Sequence, residues 1–420
     1  MSEYGQVPEQ IGVEALNVYC GVARIPVPVL FEGRGLDPAR LDNLMMSQRS
    51  IGLPCEDPVT NAVNAARPIV EALTAEERAS IELLVTSTES GVDLSKSVAS
   101  YVHEHLGLGP RCRVLEVKQA CYGATGVLQL AAGYLAGAVS PGARALVVAT
   151  DVALVDARTE YAEPATGHGA AAVLLGDRPR VLTLDLGAFG LHSYETMDSA
   201  RPTPQFDIAD TDRSLFAYLD CFSRSFADYA ERVADVDFVT TFDQLALHTP
   251  FAGLVRAAHR KMLREHAGRA LDAEAVEADF QRRVAPSLTY PRLVGNLCSG
   301  SVYLALASLV EHADLTEPAR VGLYSYGSGC ASEFFSGTVD AGSRAALAPL
   351  GIGARLAARG ELTFEEYAQL LKENLRVLVP EAHREIDVAR YDEYLDRVPD
   401  RPPMLVLTGI ENFHRRYTWR

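Results

Sequence analysis

In the stretch VKQACYGATG, Cys121 stands between an apolar segment and a run of small residues that opens an Ala- and Gly-rich helix. A free cysteine there can be a small hydrophobe filling the core. At a helix N-terminus it can instead be a nucleophile, because the helix end favours the thiolate. Three further stretches offer matching chemistry. Glu89, in TSTESG, sits where a strand gives way to a loop, a common seat for a working carboxylate. His248, in LALHTPFAG, follows an apolar run and precedes a helix. SYGSGC, Ser325 to Cys330, is a glycine-rich turn between two apolar strands. Each has a plain alternative: a solvated loop acid, a satisfied core histidine, a hairpin turn.

Taken together the four fit thioester chemistry. A thiolate accepts an acyl group from a thioester at little thermodynamic cost. A glycine turn can aim backbone N–H groups at the oxyanion of a tetrahedral intermediate. A carboxylate beside the acyl methyl can remove its proton, and a histidine with an amide can hold and polarise a second carbonyl.

The elements that must position these groups read as α/β. Short apolar strands alternate with helices through most of the 420 residues. IELLVTSTES, RCRVLEVKQA, RALVVATDVAL, HGAAAVLLGD and RVLTLDLGA read as strands, and SKSVASYVHEHLGLG as a helix stopped by glycine. Continuous apolar runs imply strands covered on both faces. VGNLCSGSVYLALASLVEHA resembles KQACYGATGVLQLAAGYLAG, each a polar approach followed by a helix apolar nearly all round. Setting Val302 against Val127 places Asn296 opposite Cys121. This faint duplication predicts two halves, 1–190 and 191–420, stacking buried helices between sheets. Residues 192–240, polar and aromatic, read as an insertion near the site. From about 341 a C-terminal extension carries a charged amphipathic helix, TFEEYAQLLKENLRVL, and a last strand, PPMLVLTGI.

Composition sets limits. A net charge of −16 argues against nucleic-acid binding, which needs a basic footprint. Seven cysteines without metal-type spacing fit a reducing cytoplasm, and ten histidines form no zinc signature, so no metal is expected. No signal peptide or membrane span is expected. One basic run stands out: LVRAAHRKMLREHAGR sets Arg256, Arg260, Lys261, Arg264 and Arg269 against one acid, Glu265. Its plain alternative is a solvated helix face.

The motifs STESGVDLSKS, EVKQACYGATG, LHTPFAGLV, VGNLCSGSVYLALASL and YSYGSG, in this order, resemble those of 3-hydroxy-3-methylglutaryl synthases of the thiolase superfamily. The likeness runs from about residue 12 to 340, and is nearest to the branch that works in polyketide β-branching. It implies a five-layered αβαβα fold and a homodimer. Cys121 would be the nucleophile acetylated by a donor thioester, Glu89 the base that forms the acetyl carbanion, and His248 the group that polarises the acceptor's β-keto carbonyl. Asn296 and Tyr122 would belong to the substrate pocket. The N–H groups of Cys121 and Ser328 would form the oxyanion hole, and Asp198 matches an acidic position of the family. No cofactor is implied beyond phosphopantetheine-borne thioesters.

The resemblance also bears on the acyl carrier. Synthases that use CoA place lysines on the helix after the His-x-Pro motif, at positions that align with Gly253 and Ala257. Without them a nucleotide phosphate loses its point charges. Arg256, Arg260 and Lys261 remain, and could meet the acidic helix of donor and acceptor acyl carrier proteins. Arg34 and Arg40, in FEGRGLDPAR, could contact a phosphopantetheine arm. The rival reading is the CoA enzyme of isoprenoid supply. A silent scaffold is disfavoured by the complete Glu–Cys–His set, and a decarboxylating ketosynthase by Glu89, which such chemistry does not need. The chain is shorter than some relatives near 156–161. Cys298 and Cys330 read as packing residues.

Overall fold

The computed structural model describes residues 8–152, 154, 162–204, 206–268, 271–398 and 401–420; the short segment near 156–161 lies outside them. A nine-stranded mixed sheet runs in the order Gln244–Leu247, Ala319–Gly327, Ala331–Val339, Leu182–Ser193, Gly12–Tyr19, Gly169–Gly176, Arg144–Asp151, Ile81–Ser87 and Arg113–Val117. Two residue pairs alone, Gly12 with Thr183 and Val13 with Leu182, join the Gly12–Tyr19 strand to Leu182–Ser193. The sheet is thus two blocks sharing a narrow seam. Every residue of Arg144–Asp151 and of Gly169–Gly176 is buried, as runs covered on both faces require.

Helices form the layers. Gly123–Ala136 and Ser301–His312 lie in the largest core, with the inner faces of both blocks. All ten residues from Ser301 to Val310 are buried, which suits a helix apolar all round. Pro58–Glu71 and Val98–His105 cover the outer face of one block. Asp57 caps the first of these by accepting the Thr60 N–H at 2.9 Å. The other block is covered by Thr211–Arg232 and Ala252–His266 over an aromatic cluster that includes Phe222, Phe226, Phe238 and Phe334.

The expected C-terminal strand forms at Leu405–Glu411, yet it is not the last. The chain turns at Asn412 and Phe413, both at positive φ, into an antiparallel partner, His414–Trp419. A buried ion pair, Arg415 to Asp57 at 2.8 Å, ties that hairpin to the cap of the Pro58–Glu71 helix. No described helix is long and apolar enough to cross a membrane.

Candidate active site

Cys121 sits in a turn between the Arg113–Val117 strand and the Gly123–Ala136 helix. Ala120 reverses the chain at φ 42°, a left-handed value uncommon for a residue with a side chain. The Tyr122 N–H donates to the Gln119 carbonyl at 3.0 Å. The glycine-rich turn of the Ala319–Gly327 hairpin abuts this backbone. A Cβ on Gly327 would lie 2.5 Å from the Gln119 carbonyl oxygen and 2.6 Å from the Tyr122 nitrogen, so the approach needs glycine.

Glu89 reaches the same point from the loop after Ile81–Ser87. The Cys121 thiol donates to Glu89 Oε1 at 3.1 Å. The carboxylate's own backbone is anchored by a residue that local sequence does not reveal. Buried Asp151, at the end of its strand, accepts the Glu89 N–H at 2.8 Å, the Thr88 hydroxyl at 3.1 Å and the Ser90 hydroxyl at 2.9 Å, all on Oδ1. Burial first, and then the Glu89 charge, push Asp151 up to about 7.

Cys298 is not a packing residue. Its thiol, the Cys121 thiol and a Glu89 oxygen lie within 4.8 Å of one another, and all three side chains are partly exposed. The reason is local geometry. Cys298 is held at φ 50°, and its N–H donates to Asn296 Oδ1 at 2.9 Å, which turns the side chain toward the nucleophile. The Cys298 contact pulls the Cys121 thiol down. Burial and the Glu89 carboxylate outweigh it, and Cys121 is pushed up to about 12. In the resting protein the proton therefore stays on sulfur, with Glu89 placed to receive it.

Asn296 is fixed in turn. Its Oδ1 also accepts the Ser301 hydroxyl at 2.6 Å, and its backbone pairs with Ala165 and Gly167 at 2.7 and 2.9 Å. Its Nδ2 makes no hydrogen bond among the described residues.

His248 lies just beyond Gln244–Leu247, buried, with its carbonyl accepting the Tyr218 hydroxyl at 2.7 Å. Burial drives its imidazole down to about 3, so the ring is neutral, and Nδ1 has no partner. A neutral ring has one donor and one acceptor nitrogen. Its centroid is 6.5 Å from that of Tyr326, whose hydroxyl donates to Asp198 at 2.7 Å. Fully buried Asp198 also accepts the Gly329 N–H at 2.8 Å, so its carboxylate holds the turn that carries Ser328. The Ser328 carbonyl accepts from Gln119 at 3.5 Å, a long bond. The Tyr122 hydroxyl donates to buried Glu333 at 2.8 Å. Cys330 packs against Cys221, sulfur to sulfur 3.5 Å.

The basic residues divide. Arg34 forks onto buried Glu163 at 2.9 and 2.7 Å, with its guanidinium over the Phe364 and Tyr367 rings. Arg40 is exposed. Arg256 pairs with Glu277, a carboxylate supplied by the next helix, and Lys261 with Glu265 at 2.9 Å. Arg260 and Arg264, one helical turn apart and exposed, make no ion pair among the described residues. At Gly253 an added Cβ would lie 1.7 Å from the Asn43 carbonyl oxygen. The Leu41–Leu44 segment fills the space a longer side chain would need.

The Cys121 thiol meets the Glu89 carboxylate beside the glycine turn, and neutral His248 faces Tyr326 at the foot of the same turn, a set of groups suited to acyl transfer and carbon–carbon condensation. Profiles of the N-terminal and C-terminal regions of hydroxymethylglutaryl-coenzyme A synthase match residues 7–179 and 260–418. The chain belongs to the hydroxymethylglutaryl-coenzyme A synthase family. It is 42% identical over 417 residues to the polyketide biosynthesis 3-hydroxy-3-methylglutaryl-ACP synthase PksG of Bacillus subtilis, covering 97% of this chain and 99% of that one. The crystal structure of the curacin pathway HMG synthase in complex with acetyl donor-ACP superposes with a TM-score of 0.95 at 42% identity, covering 98% and 100% of the two chains. The hydroxymethylglutaryl-CoA synthase of Enterococcus faecalis is 34% identical over 368 residues, 87% of this chain and 92% of that protein.

Proposed function

We propose that this protein is a 3-hydroxy-3-methylglutaryl synthase of polyketide β-branching, working on thioesters carried by acyl carrier proteins. The observation that carries the reading is the Cys121 thiol resting on the Glu89 carboxylate at 3.1 Å. Cys121 attacks the donor thioester as its proton passes to Glu89, the donor thiol leaves protonated, and the acetyl group stays on sulfur. The N–H groups of Cys121 and Ser328 hold the oxyanion, with the turn kept in place by Asp198. Glu89, freed of its proton, takes one from the acetyl methyl. The carbanion adds to the acceptor's β-carbonyl, to which neutral His248 and the Asn296 amide donate. Water then hydrolyses the Cys121 thioester, releasing the product carboxylate and restoring the thiol.

Preference for carrier proteins over CoA is supported by the blocked position at Gly253 and by Arg260 and Arg264, which make no ion pair among the described residues and suit an acidic docking helix. The likeness to a polyketide biosynthesis 3-hydroxy-3-methylglutaryl-ACP synthase, and to an HMG synthase crystallised with its donor carrier protein, supports the same choice. We read the working form as a homodimer. Arg113–Val117 ends the sheet as an open edge, with Leu115 53% exposed and Leu130, on the following helix, 76% exposed.

Intact-mass spectrometry after mixing with acetyl-CoA or an acetyl-carrier protein tests the function. Addition of one acetyl group from the carrier protein alone, lost in Cys121→Ala, is expected. Equal acetylation by both donors would restore the CoA enzyme, and none from either would remove the nucleophile.

A further inference from the structure

The second thiol beside the nucleophile has no part in the condensation just described. Cys298 is turned toward Cys121 by a left-handed backbone and by its bond to Asn296, so its placement is built in. Two sulfurs and one carboxylate oxygen within 4.8 Å are a recognisable ligand set. Around a tetrahedral zinc ion, with Zn–S about 2.3 Å and Zn–O about 2.0–2.2 Å, such atoms stand about 3.5–3.8 Å apart. The Cys121–Glu89 distance of 3.1 Å is a little shorter than that spacing. Closing the remaining span needs about 1 Å of side-chain movement, within the reach of a χ1 adjustment on a partly exposed side chain.

We propose that Cys121, Cys298 and Glu89 also form a three-ligand site for a thiophilic divalent cation such as Zn2+, and that its occupancy blocks acyl transfer. Binding replaces two thiol protons, released to solvent, by two thiolate–metal bonds. Glu89 supplies the third ligand and water the fourth, as in open zinc sites. The surroundings favour a dication. Buried Asp151, whose Oδ2 has no hydrogen-bond partner, sets a second carboxyl group behind Glu89. Cys221 and Cys330 offer two sulfurs at 3.5 Å, yet both are buried and no third ligand joins them among the described residues. The inhibition, though not the binding, rests on Cys121 being the acyl carrier.

Titration of the purified full-length protein with Co2+, followed by thiolate-to-cobalt charge-transfer absorption, tests the site. One equivalent should give the band. Cys298→Ser should lose it and Cys221→Ser should keep it. Prior acetylation of the wild type should abolish it, an arm that holds even if Cys298→Ser proves poorly folded by thermal melting. Saturating Zn2+ should slow acetylation of Cys121 at least tenfold, with recovery on adding a chelator. A full band in Cys298→Ser, its loss in Cys221→Ser, or no band at all would overturn the proposal. A band in a protein that no donor acetylates would leave the metal site standing and remove the condensing function instead.

Discussion

Asp151 accepts the backbone N–H of Glu89 at 2.8 Å, and through that bond it sets where the carboxylate meets the Cys121 thiol. The same oxygen gathers the hydroxyls of Thr88 and Ser90, so one buried side chain organises the whole loop. Removing it leaves the Glu89 N–H and the Thr88 hydroxyl short of a partner, each costing about 1–3 kcal/mol when buried, while the Ser90 hydroxyl keeps the Val152 carbonyl at 3.3 Å. Asp151→Ala should therefore lower the melting temperature sharply. Asp151→Asn, which retains an acceptor oxygen, should fold and keep Cys121 acetylation. A variant pair that melts alike would remove the anchoring role.

The division of labour between sulfur, carboxylate and imidazole predicts separable defects. Cys121→Ala should take up no acetyl group. His248→Ala should still form acetyl-enzyme at the ordinary rate, Glu89→Gln should form it more slowly for want of a base for the thiol proton, and in both condensation should fall by about 10²–10⁴. Single-turnover mass spectrometry with and without the acceptor distinguishes the two steps.

Glu333, beneath the Tyr122 hydroxyl, is pushed up to about 7 from 4.5, chiefly by burial. Between those values the folded carboxyl keeps a proton that the unfolded chain gives up. Its contribution to stability is thus present below about 4.5 and lost as pH rises through about 7. Glu333→Gln removes that dependence. Relative to the wild type, the variant should gain about 1–3 kcal/mol between pH 5 and 8, read from urea midpoints. Parallel pH curves would show that Glu333 titrates as an ordinary surface acid.

Charge reversal of Arg260 and Arg264 together should raise the KM for an acetyl-carrier protein about tenfold at low salt, and less at high salt as screening takes over. The effect on acetyl-pantetheine should be smaller. On the same helix, Gly253→Lys should cost about 1–3 kcal/mol or more, since the Asn43 carbonyl occupies its Cβ position. Ala257→Lys should be tolerated and raise acetylation by acetyl-CoA.

At the open sheet edge, Leu115→Lys and Leu130→Glu together should convert a dimer to a monomer in light scattering. An unchanged mass would place the interface elsewhere.

Much of this was legible because it is local. The strands Ile81–Ser87, Arg144–Asp151 and Gly169–Gly176 form where apolar runs predict them, and the helix ahead of GLG forms at Val98–His105. The neighbourhood of Cys121 and Glu89 follows from two strand ends in adjacent positions of one sheet. The packing role expected of Cys298 fails because its orientation depends on a left-handed φ and on Asn296, neither visible in CSG. Asp151 is hidden in the sequence because it closes a strand whose other residues are apolar or neutral apart from Arg144, and reads as an end rather than an anchor. The basic helix looked nearly unopposed because Glu277 comes from the next helix.

The narrow seam at Gly12–Val13 has a consequence for how the protein comes into being. Asn296 is fixed by Ala165 and Gly167, and Ser87 meets Ser299 at 3.0 Å, contacts that span more than a hundred residues of chain. Such distant pairings form late, after loops have closed at an entropic cost. Catalytic competence should accordingly emerge last on refolding, well after the strand-rich circular dichroism signal, and the time course of acetyl uptake would serve as a clock for the final docking event.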